Sequence, residues 1–461
     1  MKKSRKIIIF SYFILFFTLC CFMFSYGCDY YWHVKVGEWI FNNKAIPYTD
    51  IFGWYGSINK LHWISHEWLS EVIIFLFSSL FKNGAFIYTY TCVFILGTII
   101  FLYNKNIFYK NSFIACIWSI CGCLMFVSKV IPRPHLISYI LFTITCYLAT
   151  DLSKNENSNK FYLSLIIAIL WSNCHGGSSN LSYFIYGVFL FFGLLPNKTI
   201  KKITNNKLSI TQIKKFFVSI VLSIVGICIN PHGLIMLIYP YLNMTYTNMT
   251  KYIAECKSIL IFRIDGIFYI IFMLFVLIKL LRSKSKIRLR DLFLFAFFSI
   301  MLIKSMKFAP YLYIATSFFI FDYKFIERNI NIYIVLIFIT ILCLIIIFNY
   351  KAPNKKLVSD KLINYLKENN DKKIYNNYGV GGYLIYNDIK PYIDGRADMY
   401  IDTIFDISCT IENEHPERLR NYDFDLYIVL KDTKSWKYLK NHASYYKLVM
   451  NDKDYYIFEN K

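Results

Sequence analysis

The sequence predicts an all-α polytopic membrane domain followed by a small C-terminal α/β domain. Of the 461 residues, 56% are apolar, and the mean hydropathy of +0.41 is too high for an ordinary soluble globule. Apolar runs close to the roughly 20 residues that cross a bilayer as a helix recur along residues 1–350. After residue 350, charged residues and short alternating runs replace these long apolar stretches.

The net charge of +22 is concentrated in the predicted membrane domain. Residues 1–350 hold 33 of the 51 Lys and Arg residues but only 12 of the 29 Asp and Glu residues, whereas residues 351–461 hold 18 and 17. Most of the excess lies in short loops between apolar runs, which is the pattern of the positive-inside rule. The charge therefore predicts contact with anionic membrane lipids and gives no support to nucleic-acid binding.

The basic loops fix a predicted topology. The N-terminus, residues 197–215 and residues 279–290 are rich in Lys and Arg, so all three are expected in the cytoplasm. We expect the first apolar run to remain as an uncleaved anchor. With this run included, about 11–12 transmembrane helices are predicted, and the predicted spans are 7–26, 84–103, 112–129, 136–151, 162–175, 181–195, 215–230, 262–281, 291–304, 308–321 and 331–349.

This topology divides the chain into two predicted domains. Residues 1–350 form the membrane domain with a first outer loop at 27–66, and residues 351–461 form an extracytoplasmic α/β domain. If the run 67–82 crossed the membrane, the basic loops would no longer all lie in the cytoplasm. We therefore expect this run to lie at the membrane interface or to fold back. In the C-terminal domain, a helix precedes β runs at 383–387, 391–396, 425–430, 445–450 and 454–458.

The topology predicted from Lys and Arg also places a set of other polar residues at outward-facing helix ends and loops. Ionisable groups at membrane depth are costly, so clustering of this kind indicates a functional site. An interfacial role for each group is the alternative that the sequence leaves open. The predicted substrate-binding and phosphate-binding residues are His33, His62, His66, Arg133, His135, His175, Asn230, His232 and Glu255.

The first outer loop carries the predicted catalytic residues. Asp29 directly follows the first span, and partial desolvation there would suit a general base. Glu67 is the predicted second carboxylate. His62 and His66 would share a face if their segment were helical, so they are the candidate ligands for a divalent cation, although no cofactor is certain. Asp50 and most of the loop's aromatic residues are expected to be scaffold.

Two motifs of the C-terminal domain bear on binding. GVGGY at 379–383 is not followed by the third glycine of the G-x-G-x-x-G pattern or by the Lys-Ser/Thr of a phosphate loop, so it predicts a tight turn. IDGRADMY contains Asp394, Arg396 and Asp398. The sequence leaves open whether these charges pair locally or contact the membrane domain.

Motifs spread over nearly the whole chain resemble the GT-C superfamily of polyprenyl-phosphate-sugar glycosyltransferases. These include protein O-mannosyltransferases and lipid A aminoarabinose transferases. DYYWHVKVGEWI, IPYTDIFGW, HEWLSEV, RPH, HGG, NPHG and the late GGYLIY and IDGRADMY are similar to a bacterial branch of such proteins. The chain departs from the familiar patterns because no second acid adjoins Asp29, and SHEWL at 65–69 stands where aminoarabinose transferases carry Lys-Pro-Pro-Leu.

The resemblance implies an inverting transferase that moves a sugar from a polyprenyl-phosphate donor to an extracytoplasmic glycan, lipid or protein acceptor. It implies that Asp29 is the base for the acceptor hydroxyl. Because the donor-phosphate contacts do not carry over, His66 or Arg133 would have to supply them. The alternatives are a lipid-linked-glycan transporter, a non-catalytic accessory subunit, and an O-antigen-type polymerase or ligase.

Overall fold

The structure is a computed structural model that describes residues 3–245, 251–253, 256–259, 264–323, 355–452 and 454–461. Most of these residues are helical, and elements are numbered along the chain. The helices are α1 (Lys3–Thr18, extended by a 3-10 turn Leu19–Met23), α2 (Asp29–Asn43), α3 (Trp54–Ile58), α4 (Trp68–Leu80), α5 (Gly84–Lys110), α6 (Ser112–Phe126), α7 (His135–Lys154), α8 (Leu163–His175), α9 (Leu181–Leu194), α10 (Ile210–Cys228), α11 (Ile235–Thr245), α12 (Ile264–Arg282), α13 (Leu289–Lys304), α14 (Ala309–Ser317), α15 (Asp360–Glu368), α16 (Tyr378–Tyr386), α17 (Ala397–Tyr400), α18 (Phe405–Asn413) and α19 (Lys434–Asn441).

The strands in the described residues form two small sheets. The first has the order β1 (Lys198–Ile200), β2 (Ile203–Asn205) and β3 (Ile287–Arg288). The second has the order β4-β5-β7-β6, with β4 at Ile374–Asn376, β5 at Leu426–Leu430, β6 at Tyr446–Asn451 and β7 at Tyr455–Asn460. In this second sheet β4 and β5 are parallel and the other pairs are antiparallel.

Each predicted span before residue 322 coincides with a helix, and the span 331–349 lies outside the described residues. Four helical segments in the described ranges are long and apolar enough to cross a membrane: Lys3–Met23, Gly84–Lys110, His135–Lys154 and Ile210–Cys228. A fifth is added if Lys160–Ser178 and Leu181–Leu194, bent by 102°, form one span. Fewer helices meet this criterion than the eleven predicted crossings, because several, such as α6 with 15 residues and α14 with 9, are short.

The run 67–82 forms α4, a 13-residue helix. A helix rises about 1.5 Å per residue, so α4 is about 20 Å long and shorter than the roughly 30 Å hydrocarbon core. This length agrees with the expectation that the run does not cross as an ordinary span. Its first turn carries Glu71, which is buried.

Contacts between residues divide the chain into two compact units. The first unit is Met1–Ser25 with Ala85–Ala352, and the second is Tyr26–Gly84 with Pro353–Lys461. The sequence assigned the first outer loop to the membrane domain, whereas the contacts group it with the C-terminal segment. Hydrogen bonds such as the one from the Trp54 indole to the carbonyl of Ile374, 3.0 Å, tie the two parts of the second unit together.

In the first unit, the basic loops meet at one end of α7. Ile203 of β2 pairs with Ile287 of β3, which joins the basic segments 197–215 and 279–290. At the C-terminal end of α7, Lys154 lies 3.1 Å from Asp322, whose carboxylate also binds Arg288 at 2.6 Å. These two loops therefore lie at the same end of the helix, as the charge pattern predicted.

In the second unit, helix α16 packs closely against its neighbours at two glycines. A Cβ on Gly381 would lie 2.0 Å from the carbonyl oxygen of Ile393, and one on Gly382 would lie 2.7 Å from that of Cys28. The GVGGY motif lies within this helix, so its prediction as a tight turn is wrong. The glycines are needed for close packing instead.

The strand predictions of the C-terminal segment are partly confirmed. The runs at 425–430, 445–450 and 454–458 fall on β5, β6 and β7, but the run at 383–387 ends a helix and the run at 391–396 forms no strand. The short strand β4 was not predicted. In the first outer loop, helix α2 runs from Asp29 to Asn43.

Candidate active site

Helix α2 begins at Asp29, the first predicted catalytic residue. Its side chain is half-buried, and its Oδ1 accepts a hydrogen bond of 3.2 Å from the indole Nε1 of Trp32. An acidic residue in the first turn faces the positive end of the helix dipole and the unpaired N–H groups there. Both features hold the carboxylate in place at the start of α2.

Gly395 packs directly against this carboxylate. A Cβ at this position would lie 2.0 Å from the Asp29 Oδ1 and 2.6 Å from the Trp32 Nε1. Because real Cβ contacts are never this short, any larger residue would displace both side chains. Gly395 therefore belongs to the site, although the sequence analysis did not select it.

One turn further along α2, His33 faces two carboxylates of α4. Its Nδ1 lies 3.5 Å from Oε1 of Glu71, and its Nε2 lies 4.0 Å from Oε2 of Glu67. Glu67 is the residue just before α4 and Glu71 lies four residues later, so both lie on the same face of the helix. The Trp32 ring covers His33 at a centroid distance of 3.7 Å.

Gly37 brings these two helices close enough for that contact. A Cβ on Gly37 would lie 2.1 Å from the carbonyl oxygen of Glu71. Since Gly37 is one turn after His33, the approach occurs on the same face of α2. The result is a buried histidine held against two acids, with His33 and Glu71 each 1% exposed.

A second histidine extends this cluster towards solvent. His66 Nε2 lies 3.7 Å from Oε1 of Glu67, and its Nδ1 lies 4.0 Å from Oδ2 of Asp398. His66, Glu67 and Asp398 are all partly exposed, at 14%, 14% and 18%. Histidines and carboxylates thus alternate from the interior of the second unit to its surface.

Burial of Glu71 has an electrostatic consequence. Loss of solvent raises the pKa of the Glu71 carboxyl well above its usual value, and the negative charges of Glu67 and Asp398 raise it further, while Arg396 acts in the opposite direction. Its Oε2 has no hydrogen-bond partner among the described residues. The ionised form of Glu71 is therefore costly at this position.

Arg396 is held in a separate buried network. It donates to Asp50 Oδ1 at 2.8 Å and twice to Asp394, at 2.8 and 2.6 Å, and the Tyr400 hydroxyl also donates to Asp394 at 2.7 Å. Burial alone would lower the pKa of Arg396, but Asp394 and Asp50 outweigh it and raise the pKa well above its usual value. IDGRADMY therefore pairs with the first outer loop, and Asp50 has a structural contact.

The predicted pairing of His62 with His66 is not formed. His62 is exposed and lies in an isolated β-bridge with Thr49, so the segment between the histidines is not a helix. His66 instead contacts the carboxylates, and His33 replaces His62 as the second histidine. Glu71, which the sequence analysis missed, was detectable as a charge within the apolar run 67–82.

Other predicted residues lie in the first unit and are described within it. His135 Nε2 lies 2.9 Å from the carbonyl oxygen of Lys129, and the Tyr88 hydroxyl donates to the carbonyl oxygen of Arg133 at 3.1 Å. Arg133 and His135 thus surround the N-terminal end of α7. This is the opposite end of α7 from the basic loops.

His175, at the end of α8, joins the same end of α7. Its Nδ1 lies 2.6 Å from the hydroxyl of Ser138 and 3.0 Å from that of Ser178. Asn173 binds the carbonyl oxygen of Ile229 at 2.9 Å. The turn after that residue contains Asn230, whose Oδ1 accepts the N–H of His232 at 2.7 Å. Glu255 lies outside the described residues.

Comparisons with known proteins bear on the fold. No family model and no curated protein matches the chain. Among solved structures, it is similar to the Archaeoglobus fulgidus oligosaccharyltransferase tethered with an acceptor peptide containing the NVT sequon, with a TM-score of 0.54, 12% identity, and coverage of 100% of this chain and 74% of that chain. The apo form gives a TM-score of 0.52 and 11% identity over 93% and 70% of the two chains. The protein is therefore a multi-pass membrane protein with a GT-C-like fold.

Proposed function

We propose that this protein is a membrane glycosyltransferase that moves a sugar from a polyprenyl-phosphate donor to an extracytoplasmic acceptor, with inversion at the sugar. The observation that carries the proposal is the half-exposed Asp29 carboxylate at the start of α2, held by Trp32. It lies in a chain whose fold is shared with an oligosaccharyltransferase. The acceptor classes are a glycan, a lipid or a protein.

In the proposed reaction, Asp29 removes the proton from an acceptor hydroxyl as the oxygen attacks the anomeric carbon. The bond between that carbon and the phosphate oxygen breaks, and polyprenyl phosphate leaves with the electron pair. Attack from the opposite face inverts the anomeric centre. A general base of this kind contributes about 10²–10⁴-fold to the rate.

The leaving phosphate needs positive or hydrogen-bonding groups. We assign this role to Arg133, since a guanidinium matches phosphate oxygens in a bidentate fashion, and to His66 and His175 as donors. Glu67 is the second carboxylate. His33, His62, His135, Asn230, His232 and Glu255 remain predicted substrate-binding residues.

Detergent-solubilised membranes test this proposal. Membranes from cells that lack the protein would supply donor and acceptor, and purified protein would be added. We expect mass spectrometry to show conversion of polyprenyl-phosphate sugar to polyprenyl phosphate together with a new glycosylated product. A transporter moves its substrate between two compartments, and detergent micelles provide none, so a transporter would give no conversion in this assay. If no conversion is seen and intact cells that lack the protein still lose the glycan, the transporter or accessory role is favoured.

Substitution of Gly395 by Ala tests the position of Asp29. The added Cβ must displace the Asp29 carboxylate and Trp32, and a misplacement of about 1 Å can cost about 10²-fold in rate. We expect turnover in the detergent assay to fall by about that factor while the purified protein stays folded. Gly379→Ala is the matched control, because its nearest contact would be an ordinary 3.7 Å to Cys28 Sγ. Equal turnover of the two variants would contradict the assignment.

We also propose that the basic end of α7 is cytoplasmic and the C-terminal segment extracytoplasmic. In a Cys28→Ser background, which removes an exposed native thiol, single cysteines at Lys207 and Asp423 report the two sides. Both positions are exposed. We expect a membrane-impermeant maleimide to label Asp423→Cys in intact cells and Lys207→Cys only after permeabilisation. Labelling of both from one side would reject the topology.

A further inference from the structure

The cluster of His33, Glu67 and Glu71 contains the donor atoms of a cation site. Each side chain offers one ligand atom, and these three atoms lie within 4.8 Å of one another. An ion placed among them would need each side chain to move by less than about 1 Å to reach Zn–N and Zn–O bonds of roughly 2 Å. Side-chain rotation alone allows movements of that size.

The charge around the cluster is unbalanced. Glu67, Glu71 and Asp398 lie together, and Arg396 is the cation that acts on Glu71. Arg396 is already bound by two carboxylates, Asp50 and Asp394. Five carboxylates therefore share one guanidinium in this part of the second unit. A divalent cation at His33 would offset part of that excess.

Glu71 also has an oxygen that the surrounding residues do not satisfy. Buried polar groups are almost always hydrogen-bonded. The Oε2 of Glu71 has no hydrogen-bond partner in the described residues, and the side chain is 1% exposed. A buried carboxylate oxygen without a hydrogen-bond partner, on a side chain that lies against His33, is what a metal ligand requires.

We propose that His33, Glu67 and Glu71 bind a first-row divalent cation. One imidazole nitrogen with carboxylate oxygens suits Zn²⁺ and Mn²⁺. Three protein ligands leave coordination positions for water or a ligand. His66, which lies 3.7 Å from the other oxygen of Glu67, acts as a positioning residue that orients this ligand.

Metal content of the purified full-length protein tests the site. The affinity tag is removed, the protein is treated with chelator, and one equivalent of Zn²⁺ or Mn²⁺ is added before gel filtration and elemental analysis. We expect about one bound ion per chain for wild type. We expect Glu71→Gln, which keeps the size of the side chain, and His33→Gln to lose at least about 10-fold in affinity.

The control is Glu412→Gln, because Glu412 is also a half-buried acid of the second unit but lies beside Asn377 and Tyr378. It should bind metal as wild type does. Glu67→Gln, at a partly exposed position, provides a ligand variant that folds even if the buried substitutions do not. Absence of a stoichiometric ion in wild type, or equal binding by Glu67→Gln and wild type, would overturn the proposal.

A spectroscopic readout separates this site from the proposed function. Mn²⁺ bound to the protein gives an electron paramagnetic resonance signal distinct from the free ion, with no turnover required. We expect that signal in wild type and in Asp29→Asn, and its loss in Glu67→Gln. If the protein binds metal but transfers no sugar, the metal site is supported and the proposed function is rejected. If it transfers sugar but binds no metal, the proposed function is supported and the metal site is rejected.

Discussion

Arg396→Met is expected to destabilise the second unit by about 3–5 kcal/mol, the cost of leaving buried charges without their partner. Asp50 and Asp394 are both completely buried against the guanidinium. Met keeps an apolar stem like that of Arg but supplies neither charge nor hydrogen-bond donors. It also removes the guanidinium that lies 4.8 Å from the centroid of the Trp63 ring. Unfolding of the purified protein in detergent, followed by tryptophan fluorescence, measures the loss.

Two further variants make this expectation specific. Arg420→Met removes an exposed guanidinium that lies over Tyr445, and we expect it to change stability by less than about 1 kcal/mol. Asp50→Asn leaves Arg396 bound to Asp394 through two side-chain hydrogen bonds, so its effect should be smaller than that of Arg396→Met. If all three variants unfold alike, the network does not stabilise the unit.

Local sequence patterns predicted much of this fold. Apolar runs mark helices because each helix must satisfy its own backbone groups in an apolar environment. The basic loops at 197–215 and 279–290 were predicted to lie on one side, and β2 and β3 pair them. Asp29 was selected because an acid directly follows an apolar span, and it begins helix α2. These features depend on neighbours within a few residues.

Features that depend on distant parts of the chain were not predictable in the same way. Residues 383–387 look like a strand by composition, but they end helix α16, which packs closely on α2 at Gly382 and on Ile393 at Gly381. Whether Arg396 pairs with Asp50, 346 residues away, cannot be read from either motif. His62 was favoured over His33 as the metal ligand beside His66 because His62 and His66 are four residues apart. That spacing places two side chains on one face only in a helix, and this segment is not helical.

Asp29→Asn is expected to reduce sugar transfer by about 10²–10⁴-fold, the range for loss of a general base. The amide is nearly the same size and its oxygen can still accept the hydrogen bond from Trp32. Binding and folding should therefore change little, because the substitution removes the proton acceptor and not the contacts. Conversion of donor in solubilised membranes, measured beside the unfolding temperature of the same preparation, checks both expectations.

The control for charge is Asp423→Asn, which removes an acid that is 89% exposed and should leave transfer unchanged. Full activity of Asp29→Asn with normal expression would remove this residue from the mechanism. The base would then have to come from the cluster at His33, Glu67 and His66, and Glu67→Gln would become the decisive variant. Because Gly395→Ala moves Asp29 without changing its charge, loss of activity in both variants would show that position and ionisation of this one carboxylate are required together.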